Sequence, residues 1–187
     1  GSSFITAITQ GSGNKGTLQT ISNNIIANIN SSGNTTLGIT GGSTTTTTLT
    51  ISGNTISSIT SAGANQSEGI KITASGTTTA ISKNKIYDVS CNNAACLVLG
   101  IEISTVTAAA TYNISNNYVG NLTASITNHP LAIRGISVAA TAANATFNIY
   151  YNTVYINASS SGTDFGTAAL FLVGNGTATT GNAVIRN

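Results

Sequence analysis

An asparagine recurs through this chain at a spacing that leaves few architectures open. Aligned on Asn24, Asn54, Asn84, Asn117, Asn152 and Asn187, which lie 30, 30, 33, 35 and 35 residues apart, the sequence falls into register. The preceding text reads Ile21-Ser22-Asn23, Ile51-Ser52-Gly53, Ile81-Ser82-Lys83, Ile114-Ser115-Asn116, Ile149-Tyr150-Tyr151 and Val184-Ile185-Arg186. Two residues after each of the first five asparagines stands a β-branched side chain: Ile26, Ile56, Ile86, Val119 and Val154. A further apolar column follows at Ile29, Ile59, Val89, Leu122 and, slightly shifted, Ile156. Self-similarity at a fixed period of this size marks a solenoid or another repeat array.

Later in each unit a second alternating segment appears, Gly69-Ile70-Lys71-Ile72, Gly100-Ile101-Glu102-Ile103, Gly135-Ile136-Ser137-Val138 and Ala169-Leu170-Phe171-Leu172, with weaker copies at Gly38-Ile39 and Ala7-Ile8. Helical repeats need good helix formers in i, i+3, i+4 stripes, whereas Gly, Thr, Asn and Ser fill these units. Propeller blades need longer antiparallel strands joined by hairpins. Like residues at like phase instead predict an all-β fold, a right-handed parallel β-helix of about five complete coils with partial end coils, 30–35 residues per coil. Each coil should hold about three strands of three to five residues, all within one domain spanning 1–187. The corner asparagines, Asn24 to Asn187 as aligned above, are expected to take left-handed backbone and to hydrogen-bond the equivalent amide one coil away. Thr48, Thr78, Thr111 and Thr146, like Ser22, Ser52, Ser82 and Ser115, should form outward columns.

Composition narrows the function. Charged residues make up only 5% of the chain, against roughly 25% in an ordinary soluble domain, so hydroxyls and amides must solvate the surface. Hydrophobic residues, at 40%, are enough to bury a core, and their ordered recurrence argues against disorder. Six scattered basic residues form no stripe for a phosphate backbone, which argues against nucleic acid. Neither a membrane span nor a signal peptide is visible.

Candidates for chemistry are sparse. The acids are Glu68, Asp88, Glu102 and Asp164. Glu68 and Glu102 differ by three positions in phase, so they should point differently, and no acid/base pair is expected. Lys71 and Glu102 share a phase in adjacent coils and should form an exposed ion pair worth about 0–1 kcal/mol. His129, before the sole proline Pro130 in an enlarged loop, has no nucleophile or orienting acid in view, although it and Arg134 are candidates for a joint ligand contact. Neither a metal site nor a cofactor is predicted, and no residue is assigned as catalytic. Cys91 and Cys96 flank four residues, a spacing suited to a local disulfide or to two free thiols. Tyr150, Tyr151 and Phe171 are exposed-aromatic candidates for ligand contact. Seven Asn-x-Ser/Thr sequons, at Asn34, Asn65, Asn113, Asn121, Asn144, Asn157 and Asn175, are about what chance supplies in such a composition.

The text Ile-Ser-Asn-Asn-Ile-Ile at 21–26, Ile-Ser-Gly-Asn-Thr-Ile at 51–56 and Asn-Ile-Tyr-Tyr-Asn-Thr-Val-Tyr-Ile at 148–156 resembles the right-handed parallel β-helix repeats of large secreted proteins of the Bacteroidetes type, often exported by the type IX system. Their architecture is that of pectate lyases and polygalacturonases. This resemblance implies a secreted or cell-surface location and a structural role in adhesion or as a stalk, with a glycan or cell surface as ligand. End coils without caps expose strand edges, which predicts as partners another copy stacked head to tail into a filament or further coils of a longer solenoid. The rival expectation is a glycan-binding or polysaccharide-cleaving β-helix, and the third, from the threonine rows, is ice binding.

Overall fold

The computed structural model describes residues 4–11, 16–33, 35–42, 48–140, 142–173 and 182–186. Of the sequence expectations, Asn187 and the sequons at Asn34 and Asn175 lie outside these residues. The described strands in chain order are β1 (Phe4–Thr9), β2 (Leu18–Ser22), β3 (Ile25–Ser31), β4 (Thr35–Gly41), β5 (Thr48–Ser52), β6 (Thr55–Ser61), β7 (Gln66–Ile72), β8 (Thr78–Ser82), β9 (Lys85–Cys91), β10 (Leu97–Ile103), β11 (Thr111–Ser115), β12 (Tyr118–Ala124), β13 (His129–Val138), β14 (Thr146–Tyr150), β15 (Thr153–Tyr155), β16 (Phe165–Leu172) and β17 (Asn182–Arg186). Every third strand joins the same sheet. Sheet A runs β1-β4-β7-β10-β13-β16, sheet B runs β2-β5-β8-β11-β14-β17, and sheet C runs β3-β6-β9-β12-β15. All pairings are parallel, so the chain coils as a β-solenoid of about five turns.

The repeat alignment is the pairing register through Asn152; in the last coil it is one residue off, because Ile149 partners Ile185 and not the aligned Val184. Ile21, Ile51, Ile81, Ile114, Ile149 and Ile185 partner one another in succession through sheet B. Ile26, Ile56, Ile86, Val119 and Val154 do so through sheet C, and Ile8, Ile39, Ile70, Ile101, Ile136 and Leu170 through sheet A. Their side chains converge on one core, in which Ile51, Ile56, Ile70, Ile81, Ile86 and Ile101 are wholly enclosed. Each such residue contributes about 1.5–3 kcal/mol by leaving water. Tyr112 stacks on Phe147 at 5.0 Å between centroids, and its hydroxyl is held by Ser75 and by the Thr107 amide.

Beside this core runs a column of amides. Asn54 donates from its backbone N–H and from Nδ2 to Asn84 Oδ1, at 3.0 and 2.9 Å. The same Nδ2 donates back to the Ile21 carbonyl at 3.0 Å. Asn24 repeats the forward pattern onto Asn54, Asn84 onto Asn117, and Asn117 onto Asn152. The column satisfies polar groups that burial would otherwise penalise, which is why Asn54, Asn84 and Asn117 can be enclosed.

Left-handed backbone does not fall on these asparagines. It is taken by the residue before each, Asn23, Gly53, Lys83, Asn116 and Tyr151, at φ of 57, 66, 57, 55 and 53°. The reason is geometric: the corner must be turned before the ladder side chain can face inward. A second left-handed column, Asn28, Ser58, Asp88 and Asn121, bends four of the five sheet C strands, β3, β6, β9 and β12, between their two apolar residues.

The strands are also longer than three to five residues: most in sheets A and C have seven. In sheet A the repeated glycine, expected at the strand start, sits inside the strand. A Cβ on Gly69 would lie 2.5 Å from Ile86 Cγ2 and 2.7 Å from the Gly100 carbonyl oxygen, so sheets A and C approach too closely there for any side chain. Gly38, Gly100 and Gly135 face the corresponding Ile56, Val119 and Val154.

Candidate functional site

The glycine column changes which side chains share a face. Register pairs Glu68 with Leu99 and Lys71 with Glu102, while Gly69 is passed over and Ile70 enters the core. With both Gly69 and Ile70 directed inward, the two-residue alternation breaks, and positions 68 and 71 both emerge on the outer face of sheet A. Leu37 and Leu99, which neighbour Glu68 in its column, are buried but stand apart from the main core. Leu37 instead lines an outer cavity of about 430 Å³ with Phe4, Thr40, Gln66 and Lys71.

Glu68 and Glu102 therefore meet, against expectation. Lys71 Nζ lies 2.8 Å from Glu68 Oε1 and 2.8 Å from Glu102 Oε2. Nor is the Lys71–Glu102 pair exposed: Glu68 is fully buried, Glu102 nearly so, and the Lys71 side chain retains 18% of its exposure. Arg134, from the next strand, stacks its guanidinium 4.4 Å from the Phe171 ring centre and donates to Ser137 Oγ. Four of the chain's ten charged residues thus gather on β7, β10 and β13. Sequence reasoning missed the cluster because strict alternation put Glu68 out of phase; the recurring glycine was the available signal.

Burial, followed by the Glu102 carboxylate, pushes Glu68 up to about 8, against the opposing pull of Lys71. Glu68 Oε2 accepts from no other group, and a proton on Glu68 finds its acceptor in the Glu102 carboxylate, whose hydrogen bond adds to the upward shift. For Lys71, burial pulls its pKa downward but Glu68 and Glu102 outweigh it, so the ammonium is held above its ordinary range. Arg134 is lowered by burial, with the two carboxylates opposing. At neutral pH the physically consistent arrangement is one protonated carboxyl, Glu68, hydrogen-bonded to Lys71, whose charge is balanced by Glu102. Such a group can store and release a proton, but its enclosure keeps it from touching a polymer in this conformation.

The other candidates are dispersed. His129 and Pro130 open strand β13 rather than occupying a loop, because His129 pairs with Phe165 across a register shift. His129 Nδ1 accepts from the Leu131 amide at 3.0 Å, whereas the contacts of Arg134 are those given above. Cys91 and Cys96 are joined as a disulfide with Cα atoms 6.5 Å apart, and both are buried beside Thr127. Of the three aromatic candidates only Tyr151 is well exposed, at 64%. Tyr150 is half-buried and donates to Asn148 Oδ1, while half-buried Phe171 lies on sheet A, away from the sheet B strand that carries Tyr150. The structure therefore keeps Tyr150 and Tyr151 together and separates Phe171 from them.

Tyr150 and Tyr151 have neighbours that the repeat alignment passed over. Tyr87, Gly120 and Tyr155 occupy one outward column of sheet C. A Cβ on Gly120 would lie 2.5 Å from the hydroxyl and 2.8 Å from Cζ of Tyr118, so the Tyr118 ring fills that glycine's place. Lys85, which pairs with Tyr118, holds its Nζ 4.9 Å from the centre of the Tyr87 ring. Among the described residues no group of three or more His, Cys, Asp or Glu side chains is placed to hold a metal, and no helix is long and apolar enough to cross a membrane.

Comparison with known proteins finds no matching family model, no matching curated protein and no matching solved structure.

Proposed function

We propose that this chain is a structural module of a secreted or cell-surface protein, a stiff β-solenoid serving as stalk, adhesin or filament segment. The observation that supports it most directly is the unbroken vertical register: three sheets and one amide column run through successive coils in step. A body bonded along its axis in this way resists bending, while its sparse charge leaves outer faces of hydroxyls, amides and a few aromatics. Further coils, from the same chain or another copy, would add to the sheets by the pairing already present inside them.

The role is non-enzymatic in this reading. The carboxyl pair suited to polysaccharide cleavage is enclosed with Lys71 and serves as a clamp across β7 and β10. The test is electron microscopy and sedimentation of the chain over a wide concentration range, with reducing-end assays on neutral and acidic polysaccharides. Rods that lengthen with concentration, with no new reducing ends, are the expected result. A strictly monomeric species throughout would refute the filament form, and turnover of any polysaccharide would refute the non-enzymatic role.

A further inference from the structure

Five of the six tyrosines lie on one side of the solenoid: Tyr87, Tyr118 and Tyr155 on the outer face of sheet C, Tyr151 at the corner leading into it, and Tyr150 at the end of the adjoining sheet B strand. The sixth, Tyr112, is buried. Tyr87, Tyr118 and Tyr155 come from three successive coils, whose strands lie about 4.8 Å apart, and the Tyr118 ring reaches the Gly120 position between Tyr87 and Tyr155. Tyr118, Tyr151 and Tyr155 are 38, 64 and 55% exposed, although aromatic side chains ordinarily hide their rings. In the earlier coils the same positions are Ile25 and Thr55, or Ala27 and Ser57, so the strip is confined to the later layers.

Charge is placed with the tyrosines. Lys83 holds the corner position equivalent to Tyr151, Lys85 covers Tyr87, and Arg186 pairs with Tyr150 in the next coil. Asp88 is the acid on this side, and it is engaged by the Asn121 side-chain amide. In formal charge the sheet A cluster balances, Glu68 and Glu102 against Lys71 and Arg134, and Lys15 offsets Asp164; a proton on Glu68 leaves the cluster one charge positive. The formal net charge of +2 is therefore matched by this one side, three bases against one acid.

We infer that the tyrosine strip formed by Tyr87, Tyr118, Tyr151 and Tyr155, with Lys83, Lys85 and Arg186, is a binding surface for an extended acidic polysaccharide lying along the solenoid axis. The apolar faces of sugar rings stack on aromatic rings, and a repeat matched to the coil rise lets consecutive sugars meet consecutive layers. Exposed ammonium and guanidinium groups supply the partners for uronate or sulfate groups. Charge complementarity selects an acidic polymer over a neutral one. The tyrosines and Lys83 and Lys85 lie on the side of the coils, so their part of the assignment is independent of whether solenoids stack; Arg186, on the end strand of sheet B, lines the cavity at that end.

The test is binding of alginate oligosaccharides to the full chain, followed by tyrosine fluorescence and by calorimetry, with neutral dextran oligosaccharides and oligothymidylate as comparison probes. The chain has no tryptophan, so the strip dominates the fluorescence. Expected are saturable alginate binding that weakens with salt, a loss of about tenfold in Tyr155→Ala and a comparable loss in Lys85→Gln. Both positions are exposed, so folding should be kept, and unchanged far-ultraviolet circular dichroism is the check. Equal affinity for dextran, tighter binding of oligothymidylate, undiminished binding by both variants, or no alginate binding would each overturn the assignment.

Discussion

Replacing Asn84 by alanine probes the amide column where it is most enclosed. The wild-type Oδ1 accepts from Asn54 N and Asn54 Nδ2, while Nδ2 donates to the Ile51 carbonyl and to Asn117 Oδ1. In Asn84→Ala, Asn54 Nδ2 keeps the Ile21 and Ser52 carbonyls, and Asn117 Oδ1 keeps the Asn84 backbone N–H. The Asn54 backbone N–H loses its acceptor outright, inside a residue with no solvent exposure. One orphaned buried donor costs about 1–3 kcal/mol, and the other lost bonds add about 1 kcal/mol net, so the variant should be about 3 kcal/mol less stable. Asn24→Ala is the internal control. It removes the Nδ2 bonds to Asn54 Oδ1 and to the Ser22 carbonyl at a half-buried position, leaves the Asn24 backbone N–H on Asn54 Oδ1, and should cost about 1 kcal/mol or less. Urea unfolding at matched m-values gives the two differences, and hydrogen exchange at the Asn54 amide reports the local event. If both variants lose the same stability, or if Asn54 exchanges no faster in Asn84→Ala, the claim that the column satisfies buried groups fails.

The Glu68 carboxyl, raised in the folded state to about 8 from an ordinary 4.5, holds its proton more tightly folded than unfolded. Its contribution is thus fully present below pH 4.5 and fades as pH rises toward 8; thermal unfolding should move downward across that window, and Glu68→Gln should flatten the slope. Gly69→Ala forces a methyl against Ile86 and the Gly100 carbonyl and should cost about 1–3 kcal/mol by calorimetry; a neutral result would refute the close approach of sheets A and C. Titration of the denatured, unreduced protein should find no free thiol, and Cys91→Ser with Cys96→Ser should cost about 2 kcal/mol for so short a loop.

The fold was legible because the interior is periodic. Each coil must present the same apolar residue at the same height, so Ile21, Ile51 and Ile81 record the register directly. The outer faces obey no such rule. Glu68 and Glu102 looked out of phase because alternation was counted through Gly69, where the close approach of sheet C breaks it. Tyr118 and Tyr87 belong to different sequence columns, and only a ring folded over Gly120 joins them. In both places a glycine redirected side chains, and its effect depends on a neighbouring sheet distant in sequence. Loops such as 104–110 absorb the differing unit lengths, so a longer period at Asn117 leaves the strand pairing of β8 with β11 intact.

The amide column also has a sense of direction. Between the side chains themselves, Asn24, Asn54, Asn84 and Asn117 each give an Nδ2 hydrogen to Oδ1 of the asparagine one coil later, so the amide dipoles of this column add along the rod as links do in an arrow. Two rods meeting nose to tail carry that arrow across the joint, donor onto acceptor. Two meeting nose to nose would set donor against donor. The same asparagines that hold neighbouring turns together thereby favour polar fibres over symmetric pairs whenever one rod grows upon another.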